Sequence, residues 1–152
     1  MKKPLLKFGA PIVKIFWKVF KPQTLGVRAI LIKDGKVLLV KHTYSNSWFL
    51  PGGGIKKGET FETSIKRELN EELGITVHNL KLHGIYNNFF EGKNDSIFVF
   101  FNDDFEISGK KDAEIDEFEF FDLIYLPEKT SPGTRKRIAE FVEGNSPYHG
   151  MW

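Results

Sequence analysis

Gly53-Gly-Ile-Lys-Lys-Gly-Glu59, then seven residues, then Arg67-Glu68-Leu69-Asn70-Glu71-Glu72-Leu73-Gly74-Ile75 forms the most informative segment of the sequence. As chemistry it is a glycine-rich turn followed by a helix with clustered carboxylates. At about 100° per residue, Phe61, Ile65, Leu69 and Leu73 form an i, i+4 stripe, which predicts the buried face. Glu68, Glu71 and Glu72 occupy an adjoining sector roughly 100° wide, with Glu72 at the edge of the apolar stripe. Like charges at i, i+3 and i, i+4 destabilise a helix by a few tenths of a kcal/mol per pair. A carboxylate turned toward a core costs more unless it is paired. The one arginine of this helix, Arg67, cannot neutralise three glutamates.

A hard divalent cation is the natural partner. Three carboxylates with no cysteine or histidine nearby make an all-oxygen site, which suits Mg²⁺, or Mn²⁺ in its place, rather than Zn²⁺. Mg²⁺ is commonly shared between protein carboxylates and substrate phosphates, so a phosphorylated substrate is expected. A solvated acidic face is the plainer reading of a glutamate-rich helix; the position of Glu72 pulls against it.

The segment resembles the Nudix box, G-x5-E-x7-R-E-U-x-E-E-x-G-U with U aliphatic. Gly53, Glu59, Arg67, Glu68, Leu69, Glu71, Glu72, Gly74 and Ile75 fill every specified position. The resemblance implies an α/β fold, a Nudix-type α/β/α sandwich around a mixed sheet. It implies metal-dependent hydrolysis of a diphosphate bond in a nucleoside diphosphate linked to another moiety. By the same resemblance Glu68, Glu71 and Glu72 hold the metal, with the carbonyl of Gly52 completing the set. Glu68, Glu72 and Glu114 are the expected catalytic acids, Glu114 or Glu117 being the further acid that the family often places on a downstream loop. Glu59 and Arg67 resemble the pair that braces loop against helix. A water made reactive by the cation would attack, and Glu68 or an acid of the 112–117 loop would take its proton.

Around this centre the chain reads as one domain of 152 residues, large enough for a real core. It divides into an N-terminal segment 1–23, a hydrolase domain 24–144 and a tail 145–152. There is no cysteine, so no disulfide framework and no thiolate metal site; a reducing, cytoplasmic setting is expected. A net charge of +2 is too small to argue for nucleic-acid binding, and none is expected.

In residues 11–20, Lys14 and Lys18, with Lys7 and Lys21 in phase, lie opposite Ile12, Val13, Phe16, Val19 and Phe20, which predicts a basic amphipathic helix ended by Pro22. The lysines interrupt the apolar run and no small-x-small site follows, against a secretory signal. Three roles stay open: packing on the domain, a homodimer contact, or peripheral contact with an anionic membrane.

Gly26-Val-Arg-Ala-Ile-Leu-Ile32 and Lys36-Val-Leu-Leu-Val-Lys41 flank Asp34-Gly35, a hairpin signal. Arg28 and Lys41 are candidates to meet substrate phosphates; Trp48 is a candidate to stack on a base, with a core role as its alternative. His42 is too isolated to assign. Residues 75–86 read as one strand, 96–101 as a central strand, and 108–119 as an acidic loop. The last helix is expected from Ser131-Pro132 to Gly144, burying Ile138, Ala139, Phe141 and Val142. The tail would fray or fold back. The expected substrate is a small nucleotide, a nucleoside triphosphate or a nucleotide sugar. The alternative is a non-catalytic Nudix-fold module that senses a ligand or binds a protein. Isoprenoid isomerisation, which a related fold supports, lacks its cysteine here.

Overall fold

The computed structural model describes Val19 and residues 23–89, 92–144 and 146–152. The amphipathic stretch 11–20 lies outside the described residues, Val19 apart.

β1 (Gln23–Lys33) and β2 (Lys36–His42) form the predicted hairpin, and Asp34 and Gly35 both take positive φ (51° and 73°) as its tight turn requires. The two strands pair only next to the turn, at Ile32↔Val37 and Lys33↔Lys36. Beyond that they part. β2 takes β3 (Trp48–Phe49) and β8 (Ile115–Asp122) as neighbours, while the freed edge of β1 is filled by the glycine turn. Val27 N–H bonds Gly53 O (2.9 Å), Ala29 N–H bonds Pro51 O (3.0 Å) and Ile55 N–H bonds Leu25 O (3.2 Å).

On its other edge β1 runs parallel to β6 (Asn94–Asn102), which pairs with β5 (Lys81–Asn88), which in turn pairs in parallel with β9 (Tyr148–Met151). β6 is therefore central, as its apolar run predicts. A small second sheet joins β4 (Ile75–Val77) to β7 (Phe105–Ile107).

Two helices cover the two faces. α1 (Phe61–Leu73) buries Ile65, Leu69 and Leu73 against Val27, Ala29 and Leu31 of β1 and Leu38 and Val40 of β2. α2 (Pro132–Glu143) puts Ile138 against Ile30, Val37 and Leu39 on the opposite face. The period of two along β1 and β2 builds both cores at once, and this makes the α/β/α sandwich.

Four sequence expectations change. Residues 75–86 are two strands in two sheets, because the chain turns at 78–80, where Asn79 adopts φ 50°. The stretch read as an acidic loop, 108–119, becomes strand from Ile115 onward, with Phe118 and Phe120 alternating inward between acids. α2 begins and ends at Ser131 and Gly144 as predicted, but Ala139 and Val142 are exposed and Thr134 and Arg137 are buried instead. Phe61, the first member of the predicted buried stripe, is exposed. The tail folds back, one of its two sequence readings, and forms the edge strand β9.

Candidate active site

The turn before α1 leaves no freedom at two glycines. Gly52 has φ 133°, and a β-carbon there would lie 2.2 Å from Val27 O. At Gly53 a β-carbon would fall 2.4 Å from Glu68 Cδ, so the carboxylate of Glu68 occupies the side-chain position that this glycine leaves empty. The helix itself is capped by Thr60, whose hydroxyl accepts from Thr63 N–H (3.1 Å), and ends at Gly74 in the left-handed conformation (φ 61°).

Arg67 is the hub. Its Nε and Nη2 form a fork on Glu59 (2.5 and 2.9 Å), and Nη2 also donates to Gly54 O (3.0 Å). Its Nη1 reaches Glu68 Oε1 (2.8 Å) and Glu71 Oε2 (3.0 Å). The loop is tied down further by Lys56 N–H on Glu59 (2.9 Å) and by the buried Ser64, whose hydroxyl donates to Gly54 O (3.2 Å). Arg67 holds the Glu59 carboxyl at about 2, well below its ordinary 4.5, with the Lys56 N–H second. This is the bracing expected of the pair.

Glu72 is 8% exposed, and its Oε2 accepts from Gly52 N–H (2.9 Å). Burial pushes its carboxyl up to about 7; the Gly52 N–H and Arg28 oppose the rise, and the charges of Glu68 and Glu114 add to it. Arg28 is half-buried, and its guanidinium is lowered by burial against the pull of Glu72 and Glu68.

The downstream acids reach the site because their loop is stitched to the end of α1. Asp112 N–H bonds Glu72 O (2.9 Å), Gly109 N–H bonds Leu73 O (3.1 Å) and Ser108 N–H bonds Gly74 O (3.2 Å), satisfying carbonyls that a helix end leaves orphaned. Glu114 is thereby held in electrostatic reach of Glu72, and its own carbonyl accepts from Thr43 N–H (2.9 Å). Between this loop and the outer side of α1 opens a cleft of about 620 Å³, lined by Asn70, Glu71, Lys110 and Lys111 among others.

Other predicted residues fall elsewhere. Lys41 pairs across strands with both Trp48 and Glu117, on the face shared by Val37 and Leu39, which is the α2 side of the sheet. Its ammonium is held by Glu117 (2.8 Å), with Asp116 at 3.8 Å. Trp48 packs edge-on against Phe121 (4.9 Å between centroids) in the core under α2. Neither Lys41 nor Trp48 is brought to the carboxylates, because a cross-strand pair shares one face and that face is the wrong one. Glu117 is likewise spent on Lys41, which leaves Glu114 as the acid facing Glu72. Sequence reasoning set aside His42 and overlooked Tyr44. Both are on the α1 side, where the His42 ring stacks on Tyr44 (5.0 Å, 10° between planes). The signal available was an aromatic residue alone in the polar run Thr43-Tyr44-Ser45-Asn46-Ser47.

The donor chemistry fits a hard cation. All the acids are oxygen ligands, Gly53 makes room for one of them, and among the described residues no cationic side chain forms a hydrogen bond or ion pair with the buried Glu72. Among the described residues the acids do not converge on one point as they stand: Glu68 and Glu71 turn to Arg67 and Glu72 to Gly52. The carbonyl of Gly52 sits between those of Pro51 and Gly53, which β1 takes, and is left out of that pairing. An ion would compete with Arg67 for Glu68 and Glu71.

The family model described as NUDIX domain matches residues 22–141. The chain belongs to the Nudix family. It is accordingly an enzyme of the class that hydrolyses acid anhydrides. An ADP-ribose pyrophosphatase of Methanocaldococcus jannaschii is 31% identical over 73% of this chain and 69% of its own length. An RNA pyrophosphohydrolase of Actinobacillus pleuropneumoniae is 48% identical over 33% of this chain, and the match spans only 24% of that protein. Among solved structures, a MutT protein from Methanosarcina mazei superposes with a TM-score of 0.71 at 26% identity, covering 84% of this chain and 98% of the other. Among the described residues no helix is long and apolar enough to cross a membrane.

Proposed function

We propose that this chain hydrolyses a diphosphate bond in a small nucleotide, a nucleoside triphosphate or a nucleoside diphosphate linked to another group such as a sugar, with Mg²⁺ or Mn²⁺ as cofactor. The observation that carries the reading is a fourth acid, Glu114, on a loop that is hydrogen-bonded to the last turn of the carboxylate helix, at Asp112 to the backbone carbonyl of Glu72 itself. A purely structural acidic helix has no use for another carboxylate brought to its one buried glutamate. The M. jannaschii relative's name supports a nucleoside diphosphate linked to a further moiety.

Glu68, Glu71 and Glu72 would hold the cation, which when bound neutralises diphosphate charge and lowers the pKa of an attacking water. The chain's own residues do the rest. Arg67 holds the carboxylates of Glu68 and Glu71 in place through Nη1. Arg28 faces the anionic substrate from β1. Glu68 or Glu114 accepts the proton of the attacking water. The amphipathic stretch 11–20 keeps its three sequence readings, packing on the domain, a homodimer contact or a peripheral membrane contact; co-sedimentation with anionic vesicles at low salt tests the last.

The test is phosphate release, coupled to a phosphatase, across nucleoside triphosphates, ADP-ribose, nucleotide sugars and dinucleoside polyphosphates with each metal, and with Glu72→Gln as the blank. Turnover of one compound far above the rest, abolished in the blank, is expected. Silence across the panel from a protein that binds Mg²⁺ in calorimetry would replace this reading with a ligand-sensing or protein-binding module.

A further inference from the structure

We propose that Tyr44, backed by His42, is the surface on which the nucleobase of the substrate stacks. The inference rests on the nucleotide reading above and adds the residue that would grip the base. Trp48, the aromatic that the sequence offers for this task, packs half-buried on the other face of the sheet. Tyr44 is on the same face as the carboxylate helix and is 74% exposed.

Its exposure is not that of a loose loop residue. Three rings form a ladder from core to water. Phe49 packs on the core under α1, His42 leans on Phe49 (5.7 Å, 48°), and Tyr44 lies nearly parallel on His42 (5.0 Å, 10°). The turn that carries Tyr44 is closed by Ser45 N–H on His42 O (3.1 Å) and stiffened by Ser47 N–H on Ser45 Oγ (3.2 Å). Thr43 N–H bonds Glu114 O (2.9 Å), so the turn is tied to the loop that carries the candidate general base, a loop itself hydrogen-bonded to the end of the carboxylate helix. Burial raises the Tyr44 hydroxyl, and the charges of Glu114, Arg28 and Glu72 also act on it.

A flat, preordered ring there offers a π-face to a base at little further entropic cost. Base–aromatic stacking tolerates any base, so Tyr44 would supply affinity for nucleosides as a class rather than choice among them. Among the described residues the buried Nδ1 of His42 has no hydrogen-bond partner, and the ring is packed between Phe49 and Tyr44.

The experiment follows binding of 2-aminopurine riboside triphosphate, with Mg²⁺, by stopped-flow fluorescence before turnover, in wild type, Tyr44→Phe and Tyr44→Ala. The affinity of base-free inorganic tripolyphosphate is measured beside it by calorimetry. Expected are quenching in wild type and Tyr44→Phe, loss of quenching with roughly 5- to 150-fold weaker binding in Tyr44→Ala, and unchanged tripolyphosphate affinity in all three. Quenching and affinity retained in Tyr44→Ala would overturn the inference, as would no quenching by wild type or an equal loss of tripolyphosphate affinity. The two readings fail separately. Tyr44-dependent quenching without hydrolysis of any nucleotide removes the catalytic reading alone; hydrolysis with a KM indifferent to Tyr44→Ala removes this one alone.

Discussion

Gly53 and Glu68 share one space: the carboxylate of Glu68 fills the position of the β-carbon that Gly53 lacks. The glycine is demanded here by a side chain across the turn, not by its own φ, since no positive φ occurs at Gly53. Gly53→Ala should therefore push the end of Glu68 aside while leaving the backbone able to close. Activity is expected to fall on the order of 10²-fold, the scale of a 1 Å misplacement, with stability changed by about 1 kcal/mol or less. Turnover and a urea melt on the same protein check this. A large loss of stability would show that the backbone, not Glu68, had to move.

Glu72 makes a prediction that depends on metal. Its folded-state pKa of about 7 lies above the ordinary 4.5, so its ionisation opposes folding, and stability falls as pH rises from about 4.5 through about 7. The loss at full ionisation is about 3 kcal/mol in metal-free protein. Chelator-treated Glu72→Gln should then melt above chelator-treated wild type at pH 8, with the gap closing near pH 5. Mg²⁺ should raise the melting temperature of wild type and leave Glu72→Gln nearly unmoved. Equal melting of the two metal-free proteins at pH 8 would show that Glu72 is adequately paired without a cation.

The fork of Arg67 on Glu59 gives the opposite sign. The Glu59 carboxyl is held at about 2, below its ordinary 4.5, so its stabilising contribution is present above pH 4.5 and is lost as pH falls toward 2. Glu59→Gln should flatten the acid side of the stability profile between those limits. Arg67→Lys keeps the charge but loses the planar fork and the bond to Gly54 O, and should lower activity roughly 10- to 100-fold. Denaturation across pH 5 to 2 and steady-state rates at pH 8 measure the two effects separately.

The carboxylate helix was legible because its signals are local. Ile65, Leu69 and Leu73 recur at helical spacing, and Glu72 beside them announces a buried acid before any fold is known. The face on which a strand residue lies was not local. Trp48 and Tyr44 are close in sequence, yet pairing of Trp48 with Lys41 sends one to the α2 core, while the turn after His42 leaves the other beside the acids. β8 shows a masked signal: Ile115, Phe118 and Phe120 mark its inner face, but the acids between them made it read as a loop. Nor could spacing show that Arg67 would reach Glu68 and Glu71 as well as Glu59, since that depends on rotamers of a long side chain.

Arg137 supports a last prediction. It is fully buried in α2, over the Tyr86 ring (3.8 Å) and near the Trp152 ring (5.4 Å). Nη2 pairs with Glu140 (2.8 Å), Nη1 donates to Met151 O (3.0 Å), and the Tyr86 hydroxyl donates to the other Glu140 oxygen (2.8 Å). The guanidinium thus fastens β9 and Trp152 to α2, and Gly133 is small because the Trp152 indole fills its side-chain space. Arg137→Met should cost about 3–5 kcal/mol, because it leaves a carboxylate largely desolvated and unpaired. Adding Glu140→Gln removes that charge while keeping an acceptor for Tyr86, so the double variant should be more stable than Arg137→Met alone, by a margin that a double-mutant cycle in urea reads directly. The cluster lies under α2, across the sheet from Glu68, Glu71 and Glu72, so kcat of the folded double variant should stay within about twofold of wild type. A double variant no more stable than Arg137→Met would mean that stacking on Tyr86 and Trp152, rather than the ion pair, is what the arginine contributes.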